Sequence, residues 1–269
     1  MTIKILASGS TGNSTFIGTS SFKALIDAGI SKKRIEECLN KIGESILNLD
    51  YIFLTHEHID HIKGLVMVLK YSRTLVYLTK GTLEALLLSK PFLAFYEENK
   101  SRFIVLEKTS NKYDDIVIKD VVISPLEAFH DASEPVGYLF NDHDKKVVYL
   151  TDTGYVHQNV AEKIKNCECY IFETNHDPEI LMNSDRPYVL KKRILSDYGH
   201  LSNADSLYAL AKVVGPKTRY IFCAHISQEC NLREIIKMTY DKIFLKLGID
   251  NSHINLIMTL PTDISEVNI

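Results

Sequence analysis

The chain has 269 residues, of which 45% are hydrophobic and 24% charged, and it carries a net charge of −3. That is ordinary for a soluble globular protein, and the near-neutral balance excludes a global basic field for nucleic acid or a membrane surface. Its five cysteines, Cys38, Cys167, Cys169, Cys223 and Cys230, form no C-x-x-C pair, so they read as reduced core residues, not a disulfide frame or zinc ribbon. No run approaches about 18 consecutive apolar residues, so no membrane-spanning helix is expected. The start, Met1-Thr2-Ile3-Lys4-Ile5-Leu6, has no signal-peptide layout, and a cytoplasmic location is the expectation. With no low-complexity linker or composition break, residues 1–269 are expected to form a single domain.

In chain order, residues 3–6, 15–17 and 22–29 read as strands joined by turns. The small-residue loop at 7–14 is either a plain hairpin turn or an anion-cradling nest, because amides approach anions most closely where side chains are small. It lacks the Gly-Lys-Ser/Thr ending of a P-loop, and no helix follows it. Asp27 ends its strand beside Gly29 and is a candidate helix cap ahead of Ser31, where an amphipathic helix runs to about Lys41. The run Tyr51-Ile52-Phe53-Leu54 is too short for a helix, and its composition fits a buried strand.

That strand delivers Thr55-His56-Glu57-His58-Ile59-Asp60-His61 to its C-terminal end. Ile62, Leu65, Val66 and Leu69 then recur at helical spacing, so a helix is expected from about His61 with Asp60 as its N-cap. In such a turn His56 and His58 can point to one side, while Asp60 and His61 reach a second point close by. Imidazole nitrogens and carboxylates are ligands for zinc, manganese or iron. Four of them in one tight loop suggest two ions, because so short a segment can hardly wrap a single four-coordinate ion. The pattern is H-x-H-x-D-H, not the H-E-x-x-H of a zincin. A histidine-rich surface loop is the bland alternative. It fits poorly when three of the chain's ten histidines sit within six residues beside an aspartate.

Further on, residues 74–78 read as a strand and 82–88 as a helix stopped by Pro91. Residues 103–106, 115–118 and 121–123 read as strands, an alternation that argues for α/β layering. His130 follows an apolar run. A hairpin over 137–150 turns at a solvated His143, and Asp152 follows its second strand. A carboxylate there can bridge two dications and offset their repulsion at ~3.5–4 Å. The strand at 170–172 ends in Glu173-Thr174-Asn175-His176-Asp177, and helices at 186–196 and 202–213 flank Gly199-His200-Leu201-Ser202-Asn203. The strand at 220–224 delivers His225. A long helix to about Leu247, a strand near 254–257 and a loose tail after Pro261 finish the chain.

H-x-H-x-D-H at a strand end resembles the hallmark of the metallo-β-lactamase fold. The resemblance implies an α/β protein, a four-layer αβ/βα sandwich with a dinuclear metal site at the rim between its sheets. It places His130 at the superfamily's third histidine position, supported by Phe129-His130-Asp131-Ala132 and Pro135-Val136-Gly137-Tyr138. It also implies that Asp27 supports the metal loop, since a carboxylate that takes a ligand histidine's other N–H fixes its tautomer. Glu173, Gly199-His200-Leu201-Ser202-Asn203 and Ala224-His225-Ile226-Ser227 resemble phosphodiesterase members such as RNase Z. There a glutamate and a histidine outside the metals handle the scissile phosphate and leaving group, which makes Glu173 and His200 catalytic candidates. Residues 6–14, 173–177, 193–197, 199–203 and 224–231 together are similar to the bacterial YycJ/WalJ group over nearly the whole chain. Ile226 stands where that group usually has leucine, a conservative change. The group is implicated in DNA exonuclease activity from the five-prime end. Redox members of the fold carry glutamate where His58 stands, so redox chemistry is disfavoured, as is a secreted antibiotic-destroying lactamase.

The resemblance therefore implies a dinuclear hydrolase in which His56, His58 and His130 hold one ion and Asp60, His61 and His225 the other. Asp152 and a hydroxide nucleophile would bridge them, with Asp60 counted beside His200 and Glu173 among the catalytic groups. His176 and Asp177 border the site. DNA is the expected partner, although only the short runs Lys32-Lys33-Arg34 and Lys191-Lys192-Arg193 are locally basic, and exposed basic runs are commonly plain solvated faces. Two rivals stay open: a hydrolase of small esters, lactones or cyclic phosphodiesters, and a non-catalytic metal-binding regulator.

Overall fold

The computed structural model describes residues 1–110 and 112–269. In chain order the first half holds β1 (Thr2–Ala7), β2 (Ser14–Gly18), β3 (Lys23–Ile26), α1 (Lys32–Lys41), β4 (Tyr51–Phe53), α2 (Ile59–Ile62), α3 (Leu65–Tyr71) and β5 (Leu75–Leu78). Then come α4 (Lys80–Leu87), α5 (Lys90–Asn99), β6 (Phe103–Val105), β7 (Lys108–Thr109), β8 (Lys112–Tyr113), β9 (Ile116–Ile118) and β10 (Val121–Glu127). The second half continues with β11 (Val136–Asp142), β12 (Lys145–Leu150), α6 (Gln158–Lys163), β13 (Cys169–Glu173), α7 (Pro178–Asn183), α8 (Tyr188–Ile194) and α9 (Asn203–Val213). It closes with β14 (Tyr220–Ala224), α10 (Arg233–Lys246), β15 (Asn255–Met258) and β16 (Ser265–Asn268). Contacts divide the chain into two compact units, residues 1–125, 132–136 and 260–269 in one and residues 126–131 and 137–259 in the other.

The first unit is built on a sheet in the order β16-β1-β2-β3-β4-β5-β6. From β3 to β6 the strands are parallel, which obliges each connection to cross over, and α1, α2–α3 and α4–α5 make the crossings. Their apolar stripes, including Ile35, Leu39, Leu65, Val68, Leu69 and Phe92, pack on Leu25, Ile52, Leu54 and Val76. Ile26 and Phe53 on alternate positions are also fully buried. Strands buried on both faces read as unbroken apolar runs, which is why Tyr51-Ile52-Phe53-Leu54 shows no alternation.

The second unit repeats the plan. Its strands run in the order β15-β14-β13-β12-β11, with β11 and β12 an antiparallel hairpin and the rest parallel. Helices α6, α9 and α10 cover this sheet through Val160, Leu207, Leu210, Ile236 and Phe244, which pack on Val148, Tyr170, Phe172 and Ile221. Among the described residues no helix is long and apolar enough to cross a membrane.

Three local expectations are corrected. The helix after the histidine loop begins at Ile59 with His58 at its N-cap position, so Asp60 lies in the first turn, where a negative charge suits the helix dipole. The helix expected at 82–88 runs from Lys80 to Leu87 and ends ahead of Pro91 as expected, but Pro91 also opens a further, unexpected helix. It sits in the first turn of α5, where a missing N–H leaves no carbonyl unpaired. The tail is not loose: β16 pairs antiparallel with β1, Thr2 opposite Asn268 and Ile5 opposite Ser265. Its sequence, Ser265-Glu266-Val267-Asn268, carries little apolar signal, and the strand is defined by backbone pairing with cross-strand contacts from Thr2 to Asn268 and Lys4 to Glu266.

Candidate metal centre

In the first unit, the groups that follow β3 and β4 form one buried network. Asp27 accepts from the Thr55 amide at 2.8 Å, the Thr55 hydroxyl at 2.8 Å and His61 Nδ1 at 2.7 Å. A carboxylate only accepts, so His61 carries its proton on Nδ1 and presents the Nε2 lone pair, which the Asn13 side-chain Nδ2 approaches at 3.0 Å. The Thr55 hydroxyl proton is committed to Asp27, so its oxygen accepts from His56 Nδ1 at 3.0 Å, and His56 too presents Nε2. The ring centroid of His56 lies 4.6 Å from that of His58 and 4.1 Å from that of His61. Asp60 Oδ2 stands 3.7 Å from His61 Nε2. Burial raises the Asp27 pKa, against the pull of His61 and its hydrogen bonds.

The loop at 7–14 clamps this turn. The Asn13 amide donates to the Asp60 carbonyl at 2.7 Å, the Gly29 amide to the Asn13 carbonyl at 2.8 Å, and the Ala28 amide to the His61 carbonyl at 2.8 Å. The Asn13 amide is thus committed to Asp60, so the hairpin-turn reading describes the loop better than the anion nest. Gly29 is required for this approach: a Cβ there would stand 1.7 Å from the Asp60 carbonyl oxygen and 2.7 Å from the Asn13 nitrogen. Both obstacles are backbone and neither can rotate away. Gly29→Ala is therefore expected to destabilise the first unit by about 3 kcal/mol, the upper end of ordinary overpacking costs, and to weaken divalent-ion binding. A urea melt and a metal titration check it; a melt indistinguishable from wild type would contradict the clamp.

In the second unit, three adjacent parallel strands deliver polar groups to their C-terminal ends, the usual place for a site in an α/β sheet. Asp152 comes two residues after β12, Glu173 is the last residue of β13, and His225 directly follows β14. Glu173 Oε1 accepts from His200 Nδ1 at 2.7 Å and His225 Nδ1 at 3.1 Å. Its Oε2 accepts from the Thr153 and Leu201 amides at 2.9 and 3.2 Å. Asp152 Oδ1 is 3.4 Å from His225 Nδ1 and 3.8 Å from His200 Nδ1. His130 donates from Nδ1 to the Gly199 carbonyl at 3.0 Å, which aims its Nε2 away from that contact, and its ring centroid is 4.9 Å from that of His200. Burial lowers the His130 pKa, against the opposing pull of Asp152, so the ring favours the neutral form a metal needs. One donor atom each from Asp152, Glu173, His200 and His225 lies within 4.8 Å of the others. Mixed nitrogen and oxygen donors at that spacing fit a divalent transition ion.

Asp27, Asp152 and His225 all have left-handed backbones, with φ of 59°, 56° and 54°. Such conformations cost roughly 1–3 kcal/mol each in non-glycine residues and gather at functional sites. Burial pushes the Glu173 carboxyl up, but attraction to His200 and hydrogen bonds from His200 and His225 outweigh it and hold the pKa at about 2, below its ordinary 4.5. The unfolded chain therefore takes up the proton first as pH falls. The stability Glu173 contributes is whole above its ordinary value and is lost as pH drops from about 4.5 to about 2. Denaturant melts across that window should show the loss, and Glu173→Gln should flatten it. An equally steep loss in the variant would assign the slope to other groups.

The first unit thus assembles His56, His58, Asp60, His61 and Asp27, and the second His130, Asp152, His225, Glu173 and His200. Asp177 does not border these groups as a free carboxylate: it caps α7, accepting from the Glu179 and Ile180 amides. Lys191 and Arg193 are engaged internally, with the carbonyls of Met182 and Ser184 and with Asp131. Sequence reasoning passed over Thr55, Asn13 and the Gly199 carbonyl, which set histidine tautomers. The one available signal was a threonine directly after a buried strand.

Residues 23–226 match the Beta-lactamase superfamily domain, and the chain belongs to that superfamily of metallo-β-lactamase-fold, metal-dependent hydrolases. It is 42% identical over 236 residues to the exodeoxyribonuclease WalJ of Streptococcus pneumoniae, covering 87% of this chain and 85% of the relative. It is 36% identical over 245 residues to the exodeoxyribonuclease YycJ of Bacillus anthracis, covering 91% and 89%. Among solved structures, the metallo-β-lactamase fold protein YhfI from Bacillus subtilis superposes with a TM-score of 0.70 over 99% of both chains, at 12% identity, a likeness of fold alone. The fold and the hydrolase class implied by the histidine motif are those found.

Proposed function

We propose that this chain is a dinuclear metal-dependent phosphodiesterase that trims DNA from the five-prime end, its two units acting as one catalytic domain. In this reading His56, His58 and His130 take one divalent ion, Asp60, His61 and His225 the second, and Asp152 serves both. Ions bound there, zinc, manganese or iron by donor chemistry, would supply hydroxide near neutral pH and neutralise charge on the phosphate. Asp27 and Thr55 lock His61 and His56 with Nε2 presented, and the Gly199 carbonyl does the same for His130. Glu173 holds His200 by Nδ1, so Nε2 is the nitrogen that meets the leaving oxygen and gives it a proton.

The observation that carries the reading is Glu173, one buried carboxylate orienting both a candidate ligand, His225, and a candidate acid, His200. The choice of DNA among phosphodiesters follows the activity for which the two relatives are named. A cytoplasmic location agrees with five cysteines that are all free and buried.

The test is incubation of purified protein, with manganese, zinc or iron, with end-labelled duplex and single-stranded DNA, RNA and a chromogenic phosphodiester. Progressive five-prime shortening of DNA, abolished by chelation, is expected. Turnover of the chromogenic diester without DNA trimming would move the assignment to a small-ester hydrolase. Silence with every metal would leave a regulator.

A further inference from the structure

The second unit contains a cleft of about 310 Å³ beyond His200 that the reaction as described does not use. One wall is a single face of α9, where Asp205, Tyr208, Ala209 and Lys212 fall at i, i+3, i+4 and i+7. Tyr155 and Val156 from the loop after Asp152, with Leu195 and Leu201, also line it. His176 also lines the cleft. It is 1% exposed, yet neither ring nitrogen has a hydrogen-bond partner. A buried imidazole with two idle nitrogens is costly unless something else supplies the bonds. The neighbouring residues show what chemistry does so. Tyr155 is 48% exposed and rests edge-on against Phe129, with centroids 5.7 Å apart, leaving a braced aromatic ring open to a flat partner. Tyr208 adds a second ring and Lys212 an exposed ammonium.

We infer that this cleft is the subsite for one deoxynucleoside 5′-monophosphate unit, the terminal nucleotide of the strand being trimmed. Its base stacks at Tyr155 beside His176, while Lys212 faces its phosphate. The inference rests on the phosphodiesterase reading: His200 lines the cleft and in that reading serves the leaving oxygen, so the departing nucleotide lies on the cleft side. The volume suits a single nucleotide, at the small end of ligand pockets. A larger hollow of about 650 Å³ near Tyr220 and Asn255 lies at the start of β14, away from His225 at its end.

The experiment is calorimetric titration of the metal-loaded full chain with dAMP and with inorganic phosphate, for wild type, Tyr155→Ala and His176→Gln. Alongside, KM and kcat are measured on a short 5′-phosphorylated oligonucleotide with a normal or an abasic first residue. Expected are tighter binding of dAMP than of phosphate and a loss of about tenfold in dAMP affinity in each variant, the size of one lost base stack. The abasic terminus should raise the wild-type KM by a similar factor, with a smaller change in kcat. Tyr155 is half exposed, so its variant tests the subsite even where His176→Gln folds poorly. Equal affinities for dAMP and phosphate, variants that bind dAMP as wild type does, or indifference to the abasic residue would each overturn the subsite. Failure of the wild type to cleave any diester with metal would instead sink the phosphodiesterase reading, and the dAMP titration would still judge the cleft.

Discussion

Asp152→Gly should yield a folded, inactive enzyme: turnover of a phosphodiester lower by about 10³-fold or more, with thermal stability equal to or above that of wild type. The two halves of this expectation have separate causes. Asp152 has a φ of 56°, a conformation that glycine adopts freely and other residues adopt at a cost. Relieving that strain favours the folded state, while the lost carboxylate takes away the group proposed to serve both ions. Bound ions contribute several kcal/mol of transition-state stabilisation, and each 1.36 kcal/mol is a tenfold change in rate. Asp152→Ala should be as inactive but less stable than Asp152→Gly by about 1 kcal/mol, because alanine keeps the penalty at positive φ. Elemental analysis, calorimetry and kinetics on the three proteins separate the effects. A glycine variant that retains both its metal and its turnover would remove Asp152 from the centre.

The same backbone feature marks the boundary of what the residues disclose. H-x-H-x-D-H at the end of Tyr51-Ile52-Phe53-Leu54 was legible because metal donors and a buried strand each carry a strong local signal. Glu173 and His225 also sit directly at strand ends, but a single donor at a strand end is a weak signal, and their roles entered only through the resemblance of the surrounding motifs. The left-handed turns at Asp27, Asp152 and His225 were not legible, since strain of this kind is imposed by tertiary packing against local preference. Asn13 was hidden in a loop of small residues, where its hold on the Asp60 carbonyl depends on a segment 47 positions away. β16 was missed because it is held by pairing with β1 and by polar cross-strand contacts to Thr2 and Lys4 more than 260 positions away, which local side-chain patterns do not report. The cleft beside His200 was invisible for a similar reason. The α9 positions 205, 208, 209 and 212 read as one helix face, but nothing in the chain says what that face looks upon.

His200→Ala should lower kcat on DNA by about 10²–10⁴-fold, the range of a lost general acid, with metal content unchanged. The geometry argues for an acid: Glu173 holds Nδ1 at 2.7 Å, which fixes the ring and leaves Nε2 as the nitrogen to meet the leaving oxygen. A general acid matters in proportion to how badly the leaving group needs a proton. The 3′-oxygen of a deoxyribose leaves as a strongly basic alkoxide, whereas nitrophenolate leaves unaided. The variant should therefore lose far less, about tenfold or under, on a nitrophenyl ester of thymidine 5′-phosphate than on an oligonucleotide. Glu173→Gln should follow the same pattern with smaller losses on DNA, about 10- to 100-fold, since it misorients the imidazole without removing it. Equal losses of His200→Ala on both substrates would mean that the imidazole grips the phosphate and does not protonate the leaving oxygen. Unchanged turnover on both would take His200 out of the reaction altogether.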